Sequence, residues 1–120
     1  MRIRIPLLAF ACASVLAPPL GAHAFLDHAL PAVGSTVHAP PPQVQLWFSQ
    51  KLEPAFSTAQ VLDSTGKRVD RADARVDDGD STVLTVSLPE LAPGRYRVKW
   101  RVLSVDTHVT EGDYSFDVVR

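Results

Sequence analysis

The sequence predicts an all-β domain: a two-sheet antiparallel sandwich of six to eight short strands with Greek-key connections, preceded by an export leader. Three observations lead there. Short apolar runs alternate with a period of two, and turn residues punctuate them about every 8 to 12 positions. No stretch carries apolar residues at helical spacing over ten or more positions. Prolines at 31, 40, 41, 42, 54, 89 and 93 interrupt the chain too often for long helices.

The 120 residues amount to about one domain, which excludes a two-domain enzyme. A formal net charge of −1, with no basic run longer than Lys67-Arg68, gives no electrostatic basis for holding a polyanion, so nucleic acid is excluded as a partner. The first 24 residues differ in character. Arg2 and Arg4 precede a charge-free run from Ile5 to Leu20, and small residues follow, the pattern of a secretory signal peptide. Pro6, Pro18 and Pro19 interrupt that run, so a permanent membrane helix fits it less well. Two cleavage sites compete: Ala22-His23-Ala24 would leave Phe25 first, and Leu20-Gly21-Ala22 would leave His23 first. Local sequence slightly favours the former. Cys12 is the only cysteine, and Ala9-Phe10-Ala11 before it matches a lipoprotein signal poorly.

Without its leader the chain keeps about 98 residues, enough for a single core. It then has 10 Lys and Arg against 13 Asp and Glu, a formal net charge of −3, and no cysteine. Neither a disulfide framework nor a thiolate metal site is available to it.

The strands are read in order. Val44, Leu46 and Phe48 alternate with Gln43, Gln45 and Trp47, giving a strand over 43–48. Further runs lie at 58–62, 83–88, 95–103 and 114–119. Turn residues such as Ser64-Thr65-Gly66-Lys67, Asp77-Asp78-Gly79-Asp80 and Ala92-Pro93-Gly94 bound them. Ala39-Pro40-Pro41-Pro42 is expected as a stiff connector between the first two strands.

Residues 95–108 carry the most information. Tyr96, Val98, Trp100 and Val102 form an apolar face opposite Arg95, Arg97, Lys99 and Arg101. Beyond 102 the parity flips, so a bulge or bend is expected near 102–104, with Asp106 and His108 projecting together on an outward strand face. At that spacing the two would stand about 6 to 7 Å apart at the backbone, close enough to share one metal ion. The pattern alone is weak, and taken by itself it is better explained by an ordinary surface Asp-Thr-His at a strand end, with Asp106 capping a turn and His108 solvated.

A histidine at the mature N-terminus changes the chemistry available. Cleavage before His23 would expose an α-amine and an imidazole as a chelating pair, and the amine's reference pKa of about 7.7 to 8.0 lets it deprotonate near neutrality. With Asp106 and His108 this makes a set of three nitrogens and one oxygen, with no sulfur, which favours Cu(II) over Cu(I).

The order of motifs resembles the periplasmic copper-binding CopC family of copper resistance proteins. Those motifs are His23-Ala-Phe-Leu, Pro31-Ala-Val-Gly34-Ser35, Leu46-Trp-Phe48-Ser49, Pro93-Gly94-Arg-Tyr96-Arg-Val-Lys-Trp100-Arg-Val-Leu-Ser104-Val-Asp106-Thr-His108, and Gly112 before a final strand. The resemblance spans essentially the whole mature chain. It implies a seven-stranded Greek-key β-sandwich or barrel of the Ig-like and cupredoxin-like kind, and one Cu(II) site built from His23, Asp106 and His108. It also implies cleavage before His23, which divides the chain into a leader at 1–22 and a copper-binding domain at 23–120. The implied setting is periplasmic, the expected state monomeric, the role copper resistance or homeostasis without catalytic turnover, and the candidate partner an inner-membrane copper transporter.

Two departures matter. Gln50 stands where some members carry a carboxylate, and the region 55–75 has no Met, Met1 being the only one, so a second, cuprous site is not expected. Asp27 and His28 are expected to face opposite sides of the first strand, and His38 to be solvated. Asp77-Asp78-Gly79-Asp80 lacks the spacing of a calcium loop and reads as a turn. Trp47 and Trp100 read as packing residues. Two rival readings are an Ig-like interaction module without metal, which cleavage before Phe25 would favour, and a copper oxidase, which the cupric-stabilising carboxylate of Asp106 opposes.

Overall fold

A computed structural model describes residues 2–3 and 24–120, in which eight strands form two four-stranded sheets. Most of the segment read as a leader, and with it His23, lies outside the described residues. Within them, no helix is long and apolar enough to cross a membrane.

The strands are β1 (Leu26–Leu30), β2 (Thr36–Val37), β3 (Gln43–Phe48), β4 (Thr58–Leu62), β5 (Arg75–Val76), β6 (Val83–Ser87), β7 (Gly94–Leu103) and β8 (Val109–Val118). Among the described residues one 3₁₀ turn, Pro54–Phe56, interrupts the all-β pattern. One sheet runs β1-β3-β6-β5 and the other β2-β8-β7-β4. All pairings are antiparallel except that of β2 with β8. The eight strands, two of them only two residues long, fall within the six to eight expected from alternation and are one more than the seven the resemblance implies.

Period two decides what enters the core. Val44, Leu46 and Phe48 of β3 face inward, as do Tyr96, Val98 and Val102 of β7 and Tyr114, Phe116 and Val118 of β8. On β6 the alternation is lost, since Val83, Leu84, Thr85 and Val86 are all buried. Tyr96 closes one corner by donating its hydroxyl to the carbonyl of Ala92 at 2.5 Å. The buried Tyr114 hydroxyl donates to Pro31 at 2.8 Å, and burial pushes its phenol well above the usual range.

Two expectations change in detail, and that for His38 holds. The proline connector joins β2 of one sheet to β3 of the other, because a short strand at 36–37 intervenes. The last strand begins at Val109 instead of 114; its first half alternates weakly around Gly112, but ten residues of pairing with β7 hold it. His38 is exposed, and its Nδ1 lies 3.3 Å from the carbonyl oxygen of Arg120.

Gly112 faces Trp100 across the β7–β8 pair, and a Cβ there would overlap the indole ring. The ring in turn packs against Phe48 and Tyr114, so it has little room to retreat. Gly112→Ala is therefore expected to destabilise the fold by about 1–3 kcal/mol through overpacking. Urea unfolding checks this: an unchanged midpoint would mean that Trp100 moves freely.

Candidate metal centre

The long β7–β8 hairpin delivers both predicted ligands to one end of the sandwich. β7 stops at Leu103; Ser104 bridges to Leu52 and is fully buried; the chain then turns through 105–108 into β8. Asp106 and His108 thus lie in the hairpin loop, not on the outward face of a continuing strand. The parity flip read from Leu103 and Val105 marks the end of the strand. Val105 is exposed, and its N–H donates to the carbonyl of Lys51 on the neighbouring segment.

Ser104 organises this loop. Its hydroxyl donates to Asp106 Oδ1 and accepts from the N–H of His108 at 3.3 Å. Its backbone N–H donates to the His108 carbonyl at 3.0 Å, and its carbonyl accepts from the Thr107 N–H at 2.9 Å. Thr107 adopts φ 73, a left-handed conformation that a β-branched residue rarely enters. That inversion swings the chain so that Asp106 Oδ1 and His108 Nδ1 come within 3.3 Å, closer than a flat strand would bring them. Both side chains stay accessible, at 39% and 48% exposure. The Ser104 hydroxyl and then His108 hold the Asp106 carboxyl below the usual carboxylate range.

The start of the described chain reaches the same end. Ala24 is buried, and its carbonyl accepts from the Thr110 hydroxyl at 2.6 Å, two residues beyond His108. Phe25 exchanges bonds with Ser49 in both directions, its N–H donating to Oγ and its carbonyl accepting from the Ser49 N–H. Gln50 is half-buried on that segment. Among the described residues no three His, Cys, Asp or Glu side chains gather in a metal-holding group. Asp106 and His108 supply two donors, and further donors must come from elsewhere.

Asp27 and His28 depart from expectation. The register with β3 shifts between Leu26 and His28, and this bulge brings the two side chains together, Asp27 Oδ2 lying 2.7 Å from His28 Nδ1. The His28 ring stacks on Trp47 at 4.4 Å. Trp47 is therefore a half-exposed platform for His28, whereas Trp100 packs against the core.

Sequence reasoning quoted Ser104 only as part of a motif and assigned no role to Thr107 or Thr110. A Ser two positions before an Asp is the available signal, since hydroxyl-to-carboxylate bonds at that spacing are a common turn device. Ser104→Ala removes a buried hydroxyl that bonds both candidate ligands, the Asp106 carboxyl and the His108 backbone. It is expected to cost about 1–2 kcal/mol of stability, and to let the Asp106 carboxyl titrate closer to its ordinary range. A lowered carboxylate pKa contributes stability above the unfolded value that is lost as pH falls through the folded value; the variant should have less of it to lose, with the loss complete at higher pH. Unfolding measured across the acid range checks this, and identical profiles would deny Ser104 its role.

Fold and site together define a class: a small two-sheet β-domain that offers a paired carboxylate and imidazole on a hairpin loop at one end. A family model described as the CopC domain matches residues 26–119. Protein YobA of Escherichia coli (strain K12) is 38% identical over 112 residues, covering 92% of this chain and 90% of that protein. Copper resistance protein C of Xanthomonas campestris pv. juglandis is 34% identical over 113 residues, covering 88% and 87%. The copper transport protein CutJ of Bacillus subtilis (strain 168) is 30% identical over 98 residues, which are 81% of this chain but 18% of that protein. The crystal structure of CopC from Methylosinus trichosporium OB3b superposes with a TM-score of 0.75 at 46% identity, covering 80% of this chain and 93% of that one. The chain belongs to the CopC family.

Proposed function

We propose that the chain is an exported, periplasmic Cu(II)-binding protein serving copper resistance or homeostasis. In this reading it holds one copper ion through the α-amine and imidazole of a mature N-terminal His23 together with Asp106 and His108. The observation that carries it is the convergence at one end of the sandwich: Asp106 and His108 lie 3.3 Å apart in the hairpin loop, and Ala24, the residue after His23, is tied to Thr110 beside them. The donor chemistry fits copper in its oxidised state, since imidazole, amine and carboxylate suit Cu(II) and a chain starting at His23 has neither Cys nor Met. The role is binding without turnover, and the leader at 1–22 provides the export.

CutJ supports a transport protein as the partner. A domain like this one occupies less than a fifth of that copper transport protein, so there it works in covalent attachment to the remainder. Transfer between this domain and a separate transport protein would require the two to associate. Metal titration of the exported protein tests the copper reading. One Cu(II) per monomer is expected, with a paramagnetic resonance spectrum of nitrogen and oxygen ligation, and little retention of Cu(I). Tight one-to-one cuprous binding, or no cupric binding, would overturn it.

A further inference from the structure

Alternation along β8 puts Thr110, Gly112, Tyr114, Phe116 and Val118 on its inward side, and the last three are core residues. Thr110 pairs with Val102 of β7, which is fully buried, so an apolar side chain is the default at this position. It carries a hydroxyl instead, and that hydroxyl donates to the carbonyl of Ala24, 86 positions earlier in the chain, at 2.6 Å. The bond lies two residues beyond His108, on the strand into which the loop of Asp106 and His108 leads. A second tie holds the same segment from the other sheet. Phe25 bonds Ser49 in both directions, and Ser49 directly follows β3. The start of the domain is thus fastened to both sheets, residue 25 to the sheet of β3 and residue 24 to the sheet of β8. Of the two ties only the second sets direction toward the loop. Ser49 fixes Phe25 beside β3 and leaves the preceding residue free to turn, whereas Thr110 holds that residue against β8. Ala24 has only a methyl group to bury, so the bond is the specific part of its hold.

Resting on the copper reading above, we infer that Thr110 is a positioning residue for the copper site: by fixing the Ala24 carbonyl it keeps residue 23, one peptide link away, within reach of Asp106 and His108. The effect is preorganisation. The proposed ligand set comes in two halves from opposite ends of the chain, and each half has its own hydroxyl device. Ser104 holds Asp106 and His108 to each other, and Thr110 ties the strand that follows them to the residue that follows His23. A residue anchored at its root has less freedom to lose when it closes on an ion, and ordering one free residue weakens an equilibrium by about 5- to 30-fold. Thr110 touches no metal in this account and acts only through Ala24.

A double-mutant cycle tests this with the chain that begins at His23. Thr110→Val keeps the branched shape and removes the hydroxyl, and it should weaken Cu(II) binding by about 5- to 30-fold. Thr110→Ser restores a hydroxyl and should recover most of the loss. The same Thr110→Val change is then made in a form that carries one extra residue before position 23 together with His23→Ala, which has neither terminal donor left to position. There it should alter the residual Cu(II) affinity by less than about twofold, since the two changes act on one interaction. Tyr96→Phe removes a comparable hydroxyl bond, to Ala92 at the other end of β7, and should leave Cu(II) affinity unchanged. Two further readings do not depend on affinity. In the copper-free chain Thr110→Val should lower the nitrogen-relaxation order parameter of the Ala24 amide and leave those of β3 and β7 as they were. With copper bound, its paramagnetic resonance spectrum should show a mixture of species with fewer coordinated nitrogens. Equal losses in both backgrounds, an equal loss in Tyr96→Phe, unchanged affinity in Thr110→Val, or an Ala24 amide as rigid as before would overturn the positioning role while leaving the copper reading in place. Absence of Cu(II) binding by the unaltered chain would instead refute the copper reading, and the positioning role with it.

Discussion

A protein carrying one extra residue before His23 is expected to bind Cu(II) at least about a hundredfold more weakly than the form that begins there, and to fold equally well. Extension converts the terminal amine into a peptide amide, which does not release its proton near neutrality, and so dismantles a five- or six-atom chelate whose second arm is the His23 imidazole. Loss of a ligand should exceed the 10- to 100-fold effects seen when only an outer hydrogen-bond partner of a ligand is removed. The fold is insulated from the change because register is secured from Ala24 onward. Ala24 is buried, its carbonyl is held by Thr110, and Phe25 is bonded twice to Ser49. A chain starting at Phe25 should also lose binding, and in addition forfeit the Ala24–Thr110 bond, worth about 0.5–1.5 kcal/mol. Competition titration of the three forms checks both effects, with the mass of the exported N-terminus measured alongside. Equal affinity of the extended and His23 forms would show that the amine is not a ligand.

His108→Ala should lower Cu(II) affinity by about 10- to 100-fold or more while changing folding stability by no more than about 0.5–1 kcal/mol. The separation is possible because the imidazole is half exposed while the structural duties of residue 108 belong to its backbone, whose N–H and carbonyl both bond Ser104. Asp106→Asn should act in the same direction but less strongly, since an amide oxygen still coordinates although its charge is gone. Acidity separates the ligand roles further. Imidazole and amine donors must shed protons to bind, so affinity should fall steeply as pH drops below about 6. Asp106 stays ionised through that range, because the Ser104 hydroxyl and His108 hold its pKa down. Its contribution to stability, present above the unfolded value, is lost only as pH falls through the lower folded value. Asp63, Asp73, Asp80 and Asp117 are shifted downward as well, each chiefly by a side-chain hydrogen bond. Copper should therefore leave at mildly acid pH, before the sandwich unfolds. Parallel affinity and circular dichroism measurements between pH 4 and 7 check the order of events. Unchanged binding in His108→Ala would return the loop to an ordinary solvated surface, and an unfolded variant would mean that the ring supports the core.

Much of the architecture was already legible in alternation. The strands over 43–48 and 58–62 coincide with β3 and β4, and the inward residues of β7 are those named from parity, because a half-buried sheet imposes period two on the side chains themselves. Where alternation is weak the reading stopped short. Gly112 and its polar neighbours concealed the first half of β8, and the two-residue strands at 36–37 and 75–76 are too brief to show any period. Their pairing depends on partners far away in the chain.

The candidate ligands divide along the same line. Residue types alone determined the donor chemistry: a chain beginning at His23 has no sulfur, and its late Asp-Thr-His run holds an imidazole beside a carboxylate. Only the tertiary structure decided how Asp106 and His108 meet. A strand face would have kept them apart at the pleat spacing, whereas the left-handed turn at Thr107, held by the buried Ser104 hydroxyl, folds them to 3.3 Å. The same holds for Asp27 and His28, which a regular strand would separate and a bulge against β3 pairs. In each case a backbone conformation that is unfavourable or irregular locally is maintained by bonds to distant segments, Leu52 and Lys51 for the hairpin loop and β3 for the bulge. Local sequence expresses the average preference of a residue, and the contacts that override it form only once the sheets have assembled.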